Sequence, residues 1–337
     1  MSMEATEIKQ KFFDAALSLG RCNIGNTVLV SGSPRSGTTW LAEIFRELPG
    51  YKMLDEPLFP GTSVIQEVDI IAPRTHLRAE DEVPDVEKAF LRILTGQVGG
   101  SWKWDLQRNT RVGKLFEVAT SRKLVVKTVR SSRLLPWLSR QFKVGAVVSL
   151  FRHPCAVVAS QMSGSWHDEK APTGGDLSVY RDDIPEPLRQ RFEHVLRSVE
   201  TTAGKLAAEW AMDTYVPLAG EMGENWFVLT YEGLLAHPEE EISRVTDHLG
   251  QKVGENVRKQ FSTVSATTRD EEDPTIVEKQ LRKWRQQLSS TQIEAILTVV
   301  EAFGLDFYTD QVQPDYKHLE EQIDRAHRER RIDLSLS

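Results

Sequence analysis

Four short runs of apolar, largely β-branched residues punctuate the chain: Thr27–Ser31 (TVLVS), Lys123–Thr128 (KLVVKT), Gly145–Phe151 (GAVVSLF) and Trp226–Thr230 (WFVLT). Their apolar positions run on instead of alternating with polar ones, so each predicts a strand buried on both faces. A segment with helical character follows each run. After the first, Leu41, Ile44, Phe45 and Leu48 recur at i, i+3, i+4 and i+7, the signature of an amphipathic helix. Buried strands alternating with helices predict an α/β fold: a single domain with a central parallel β-sheet flanked by helices.

Two stretches break the pattern. Tyr51–Gln107 contains Pro57, Pro60, Pro73 and Pro84, and Ser163–Pro187 combines Pro172, Gly174 and Gly175 with charged residues. Both read as long irregular loops, which in a compact domain are usually functional or mobile. The first twenty residues predict an amphipathic helix, and the charged stretch Asp315–Ser337 predicts a surface helix with a frayed end. The expected organisation is a helical extension over 1–26, a main domain over 27–310 and a charged helix and tail over 311–337.

Composition narrows the class. The 337 residues carry 42 Lys+Arg against 49 Asp+Glu, a formal charge of −7, with 27% charged and 40% hydrophobic residues. This is the profile of a soluble globular protein, and its acidic balance argues against nucleic acid as the main partner while leaving room for a local basic pocket. The apolar runs, such as Val144–Val148, fall far short of the ~20 residues that span a bilayer. The acidic N-terminus is unlike a signal peptide. Cys22 and Cys155 lack CxxC spacing, so neither a disulfide framework nor a zinc site is indicated and a cytoplasmic location is expected.

The chemistry concentrates at two strand-to-helix turns. The first, Gly32-Ser-Pro-Arg-Ser-Gly37-Thr-Thr, joins the first predicted strand to the amphipathic helix. Such a turn aims free backbone N–H groups and the positive helix end at one point, where a phosphate is held. Arg35 adds a permanent charge, and Ser36, Thr38 and Thr39 add hydroxyls. The spacing approaches GxxxxGK[ST], but Thr38 stands where nucleotide triphosphatases have lysine, and the cation sits inside the loop as Arg35. The second turn, in Val147–Met162, places Arg152 at the end of a strand, Pro154 at the first helical position and Ser160 two turns along. Arg152 reads either as a second anion site or as a surface ion pair. Two anion sites in one domain suit a nucleotide phosphorylated at both ends of its ribose.

GSPRSGTTWL and FRHPCAVVAS, in this order, resemble the two cofactor-binding motifs of sulfotransferases that use 3′-phosphoadenosine 5′-phosphosulfate (PAPS). The form with Arg35 is closer to the carbohydrate and Golgi-type branch, since the cytosolic phenol and steroid branch has lysine there. Similarity continues through Lys123–Leu138, Leu229–Gly250 and Lys283–Ile296, and so covers most of Thr27–Tyr308. The resemblance implies a P-loop-like sulfotransferase fold and transfer of a sulfuryl group from PAPS to the hydroxyl of a carbohydrate, lipid or small metabolite. The product would be 3′-phosphoadenosine 5′-phosphate (PAP), with no metal required. It further implies that Arg35, Ser36, Gly37, Thr38 and Thr39 hold the 5′-phosphosulfate and that Arg152 and Ser160 hold the 3′-phosphate. Trp40 and Tyr231 lie at adenine-side positions, with core packing as the alternative for each.

In-line sulfuryl transfer needs cations at the leaving oxygen and a base at the acceptor hydroxyl. Arg35 and Lys127 are the expected cations. Val129 stands where the cytosolic branch has its histidine base, so the base is expected to be Glu56 in MLDEPLFP, as in Golgi-type members. Pro57 is expected to hold Glu56 extended and aimed into the cleft. His153 and His167 are alternative bases, and Trp102, Trp104 and Trp166 are candidate cleft walls. Arg282-Lys283-Trp284 departs from the Arg-Lys-Gly motif that completes the 3′-phosphate site of the cytosolic branch; Ser265, Thr267 and Thr268 are other candidates near the nucleotide. A P-loop kinase-like enzyme and a non-catalytic nucleotide-binding protein are the competing readings.

Overall fold

The computed structural model describes residues 20–59, 62, 64, 76–98, 119–163, 186–262 and 274–328. The chain runs through β1 (Thr27–Ser31), α1 (Thr38–Arg46), β2 (Tyr51–Asp55), α2 (Pro84–Leu94), β3 (Lys123–Lys127), α3 (Leu135–Gln141), β4 (Ala146–Phe151) and α4 (Pro154–Ser163). It continues with α5 (Glu186–Ser198), α6 (Thr202–Ala219), β5 (Trp226–Thr230), α7 (Tyr231–Ala236), α8 (Pro238–His248) and α9 (Glu255–Ser262). Helices α10 (Pro274–Arg282), α11 (Trp284–Gln287), α12 (Ser290–Ala302) and α13 (Tyr316–Arg328) complete the described elements.

The five strands form one sheet in the order β2-β3-β1-β4-β5, every pairing parallel. This is the α/β architecture the apolar runs predict, with one strand added. Tyr51–Asp55 pairs with β3 at the edge of the sheet, inside the stretch expected to be irregular, and α2 lies in that stretch too. Its sequence YKMLD places Lys52 among apolar residues, which hides the strand from a search for apolar runs. Lys52 is nonetheless buried, its ammonium held by the Gly20 carbonyl at 3.2 Å.

Successive residues of β1 feed different cores, as the two-residue period of a strand requires. Val28 and Val30 face a layer built on α1, with Trp40, Leu41, Ile44 and Phe45, and on α7 and α8. Leu29 faces the larger layer, where α2, α4, α6 and α12 pack. Helix α1 therefore leaves β1 on one face of the sheet, while α4 leaves the neighbouring β4 on the other. The carboxyl ends of β1 and β4 flank a topological switch point, the place in an open parallel sheet where a ligand crevice forms.

Both cysteines are buried and free. Among the described residues no helix is long and apolar enough to cross a membrane. The expected extension over 1–26 falls largely on residues 1–19, outside the described residues.

Candidate active site

The turn after β1 is shaped by close approach. A Cβ on Gly32 would sit 2.4 Å from the Leu150 carbonyl oxygen, and one on Gly37, at φ +99°, would sit 2.6 Å from the Tyr231 ring. Only glycine fits at either position. Gly37 caps α1 without a side-chain hydrogen bond, so the leading N–H groups of the helix face the loop instead of a capping residue. Arg35 also has a positive φ, 75°, which turns its side chain toward the second turn.

That turn supplies the complementary groups. Arg35 Nε donates to Ser160 Oγ at 3.0 Å, and Arg152 Nη1 donates to the Arg35 carbonyl at 3.0 Å. The Arg152 guanidinium lies 4.2 Å from the centre of the Tyr231 ring, and Trp210 Nε1 donates to the Arg152 carbonyl at 3.1 Å. Gln161, which the sequence pattern did not single out, donates to the Pro34 carbonyl at 2.9 Å. The two strand-to-helix turns thus meet directly. Ser36 Oγ, Arg152 Nε and Gln161 Oε1 are buried there without a hydrogen-bond partner. Such atoms are costly to leave unpaired, and a phosphate oxygen would satisfy the hydroxyl and the guanidinium N–H.

Trp40 and Tyr231 are packed edge to face, their ring centroids 5.9 Å apart, and both are buried. The Trp40 indole N–H donates to the Gln260 carbonyl at 3.2 Å, and Tyr231 Oη accepts from Gln280 at 2.6 Å. Trp40 is packed in the core layer around α1, and the Tyr231 ring lies against the Arg152 guanidinium. Burial raises the Tyr231 hydroxyl above the usual tyrosine range, with Arg152 opposing the shift.

On the other side of β1 from β4, a second cluster forms at the ends of β2 and β3. Lys127, paired with Val30 of β1 in the sheet register, is only 6% exposed, so it does not reach into solvent. Its Nζ lies 2.7 Å from Glu56 Oε1 and 3.3 Å from Asp55 Oδ1. The Glu56 carboxylate also accepts from the Val129 backbone N–H at 3.1 Å and from Arg130 Nη1 at 3.4 Å. Val129, which cannot serve as a base, contributes its amide. Glu56 is not extended as Pro57 suggested; its φ is 50°. A hydrogen bond from its own N–H to the Lys127 carbonyl at 2.8 Å turns the chain there and carries the carboxylate back over β3.

His153 is not a base. It is buried, its Nε2 lies 3.0 Å from the carbonyls of Thr309 and Gln311, and its Nδ1 accepts from the Cys155 N–H at 3.2 Å. The ring is stacked on Trp284 at 4.5 Å. Burial lowers its pKa to about 4, so it is a neutral structural group with its Nε2 tautomer fixed by the two carbonyls. Arg282 pairs with Glu278 at 2.9 Å on the surface. His167, Trp102, Trp104, Trp166, Ser265, Thr267 and Thr268 lie outside the described residues.

A parallel sheet with a glycine-bearing loop after its central strand and an arginine-bearing turn after the adjacent one defines a P-loop-like α/β architecture. The profile of the sulfotransferase family matches residues 27–255, and the chain belongs to that family. A sequence comparison with curated proteins gives no match. Similar solved structures include the sulfotransferase domain of the Synechococcus PCC 7002 olefin synthase, at 19% identity over 85% of this chain and 96% of that one, with a TM-score of 0.41. Mouse sulfotransferase SULT7A1 complexed with PAP aligns at 15% identity over 92% of this chain and 93% of that one, with a TM-score of 0.42. Retinol dehydratase in a complex with retinol and PAP aligns at 14% identity over 86% and 83%, with a TM-score of 0.33.

Proposed function

We propose that this protein transfers the sulfuryl group of PAPS to an acceptor hydroxyl, releasing PAP. The observation that carries the reading is the direct meeting of the two anion-binding turns. Arg35 and Arg152 contact each other's segments, and two donors between them, Ser36 Oγ and Arg152 Nε, are buried and unpaired. A ligand with two separate phosphate-like groups fits those donors. The leading N–H groups of α1, with Arg35, Ser36, Thr38 and Thr39, would hold the 5′-phosphosulfate. Arg152 and Ser160 would hold the 3′-phosphate, with the Tyr231 ring supporting Arg152.

PAPS supplies an activated sulfuryl group whose leaving oxygen carries the developing charge. The protein's part is positioning and electrostatics. Arg35 and the α1 N-terminus stabilise the charge on the leaving side. Glu56 removes the proton of the acceptor hydroxyl, while Lys127, held between Asp55 and Glu56, offsets the charge of the two carboxylates and stays within the site. The combination of Arg35 in the loop and a glutamate after β2 favours the carbohydrate and Golgi-type branch of the family. The acceptor is then a glycan or small-molecule hydroxyl.

Calorimetric titration with PAP and, separately, with ATP–Mg²⁺ tests the nucleotide assignment. Metal-independent PAP binding that Arg152→Ala weakens about tenfold or more is the expected result. Binding of ATP–Mg²⁺ with none of PAP would replace this reading with a kinase-like one. PAP binding without sulfate transfer across a broad hydroxyl panel would leave a nucleotide-binding protein.

A further inference from the structure

The described residues include one buried carboxylate beside the nucleotide turns that the chemistry above does not use. Glu232, 1% exposed, follows Tyr231 in α7. Its Oε1 accepts the backbone N–H of His153 at 3.0 Å, and its Oε2 accepts the Tyr308 hydroxyl at 2.9 Å. Burial pushes the carboxyl pKa up, against the pull of these donors and of Arg152.

The peptide on which Glu232 acts is the one that carries Arg152. On its carbonyl oxygen that peptide accepts from the Trp210 indole at 3.1 Å, and on the following N–H it is held by Glu232. Both ends of the Arg152–His153 linkage are therefore fixed from outside β4, by α6 on one side and α7 on the other. The His153 ring is fastened in turn to the carbonyls of Thr309 and Gln311, one and three residues beyond Tyr308. A carboxylate replacing a backbone partner here is costly to bury, and nothing in the apolar core requires it. Its two acceptor oxygens instead match two donors that lie 155 residues apart in the chain, at positions 153 and 308.

We infer that Glu232 is a positioning residue for the second anion site. It sets the backbone from which Arg152 reaches the nucleotide's 3′-phosphate, and it ties that backbone to the segment around Tyr308. The inference rests on the PAP-binding reading above. It acts through Arg152 and makes no contact of its own with the nucleotide.

The test compares PAP with adenosine 5′-phosphate, which lacks the 3′-phosphate, on the full-length protein. Glu232→Asp keeps the charge but is one methylene too short to reach both His153 N–H and Tyr308. Glu232→Gln keeps the reach: its amide oxygen accepts from His153, and its NH₂ donates to Tyr308. The expected result is a loss of about tenfold or more in PAP affinity for Glu232→Asp, with the affinity for adenosine 5′-phosphate unchanged within about twofold. Glu232→Gln should recover most of the difference, and Tyr308→Phe, which removes one hydrogen bond and leaves a folded aromatic core, should show a smaller selective loss. Equal losses for both nucleotides, no loss for either, or a glutamine variant as impaired as the aspartate variant would overturn the inference. Failure of the wild-type protein to bind PAP at all would instead overturn the PAP reading.

Discussion

At the scale of single residues, strain and candidate chemistry coincide. Among the described residues, the non-glycine residues with positive φ are Arg35 and Glu56. Such backbone costs on the order of 1–3 kcal/mol per residue and persists where surrounding contacts over-determine it. Here they do: Arg35 is held through its carbonyl by Arg152 and through its guanidinium by Ser160, and Glu56 through its N–H and its carboxylate by β3 and the segment after it. If Glu56 is the base, Glu56→Gln preserves the side-chain shape and the Val129 contact while removing proton affinity. We expect kcat for sulfuryl transfer to fall by about 10²–10⁴-fold with PAP affinity unchanged. Steady-state kinetics beside a PAP titration separates the two. A variant that keeps wild-type kcat would move the search for the base to His167.

At the scale of elements, what the sequence shows depends on whether the signal is local. β1, β3, β4 and β5 are visible because burial on both faces demands continuous apolar residues, and the turn after β1 is visible because glycine and arginine occur at fixed offsets within it. β2, as long as β1, β3 and β5, escapes because Lys52 interrupts its apolar run, and the Gly20 carbonyl that receives the buried ammonium lies outside the strand. The α1 turn shows how tight such a locally legible element is. Gly37→Ala would combine φ +99° with a Cβ 2.6 Å from the Tyr231 ring, whereas Gly250, at φ +62°, has nothing within 4 Å of the same atom. Alanine at 250 should cost about 1 kcal/mol for its backbone alone. Alanine at 37 should cost more, and should also displace the Tyr231 platform and weaken PAP binding. Denaturant titration of both variants measures the contrast, and equal destabilisation would show that the ring gives way freely.

At the scale of the whole molecule, the candidate site is assembled from the carboxyl ends of all five strands and fastened by the segment after α12, which is why much of it is silent in the sequence. Glu232 is one carboxylate in TYEGLL, and His153 one histidine after an arginine; only the folded chain brings Tyr308, Thr309 and Gln311 onto them. The burial of two histidines makes the fold sensitive to acid. Burial lowers the pKa values of His153 and His76 to about 4, with Arg133 and Arg78 adding to the shift of His76 and Asp81 opposing it. Between that value and the usual histidine pKa of about 6.5, the unfolded chain binds protons that the folded chain does not, so stability falls as the pH falls through this window. For His153 the loss between pH 7 and pH 5 is about 2 kcal/mol. Glu232 works in the opposite sense: its raised pKa gives the folded state the extra proton, so its contribution grows on acidification. A single stability curve mixes these effects, and a difference between variants separates them. His153→Asn can still accept the Cys155 N–H but does not titrate, so it should be less stable than wild type at pH 7 and lose less on going to pH 5. Urea unfolding of both proteins at the two pH values measures this directly. Parallel losses in the two proteins would mean that His153 is protonated in the fold as readily as outside it, and that burial does not hold the ring neutral against the two carbonyls at its Nε2, which favour the charged form.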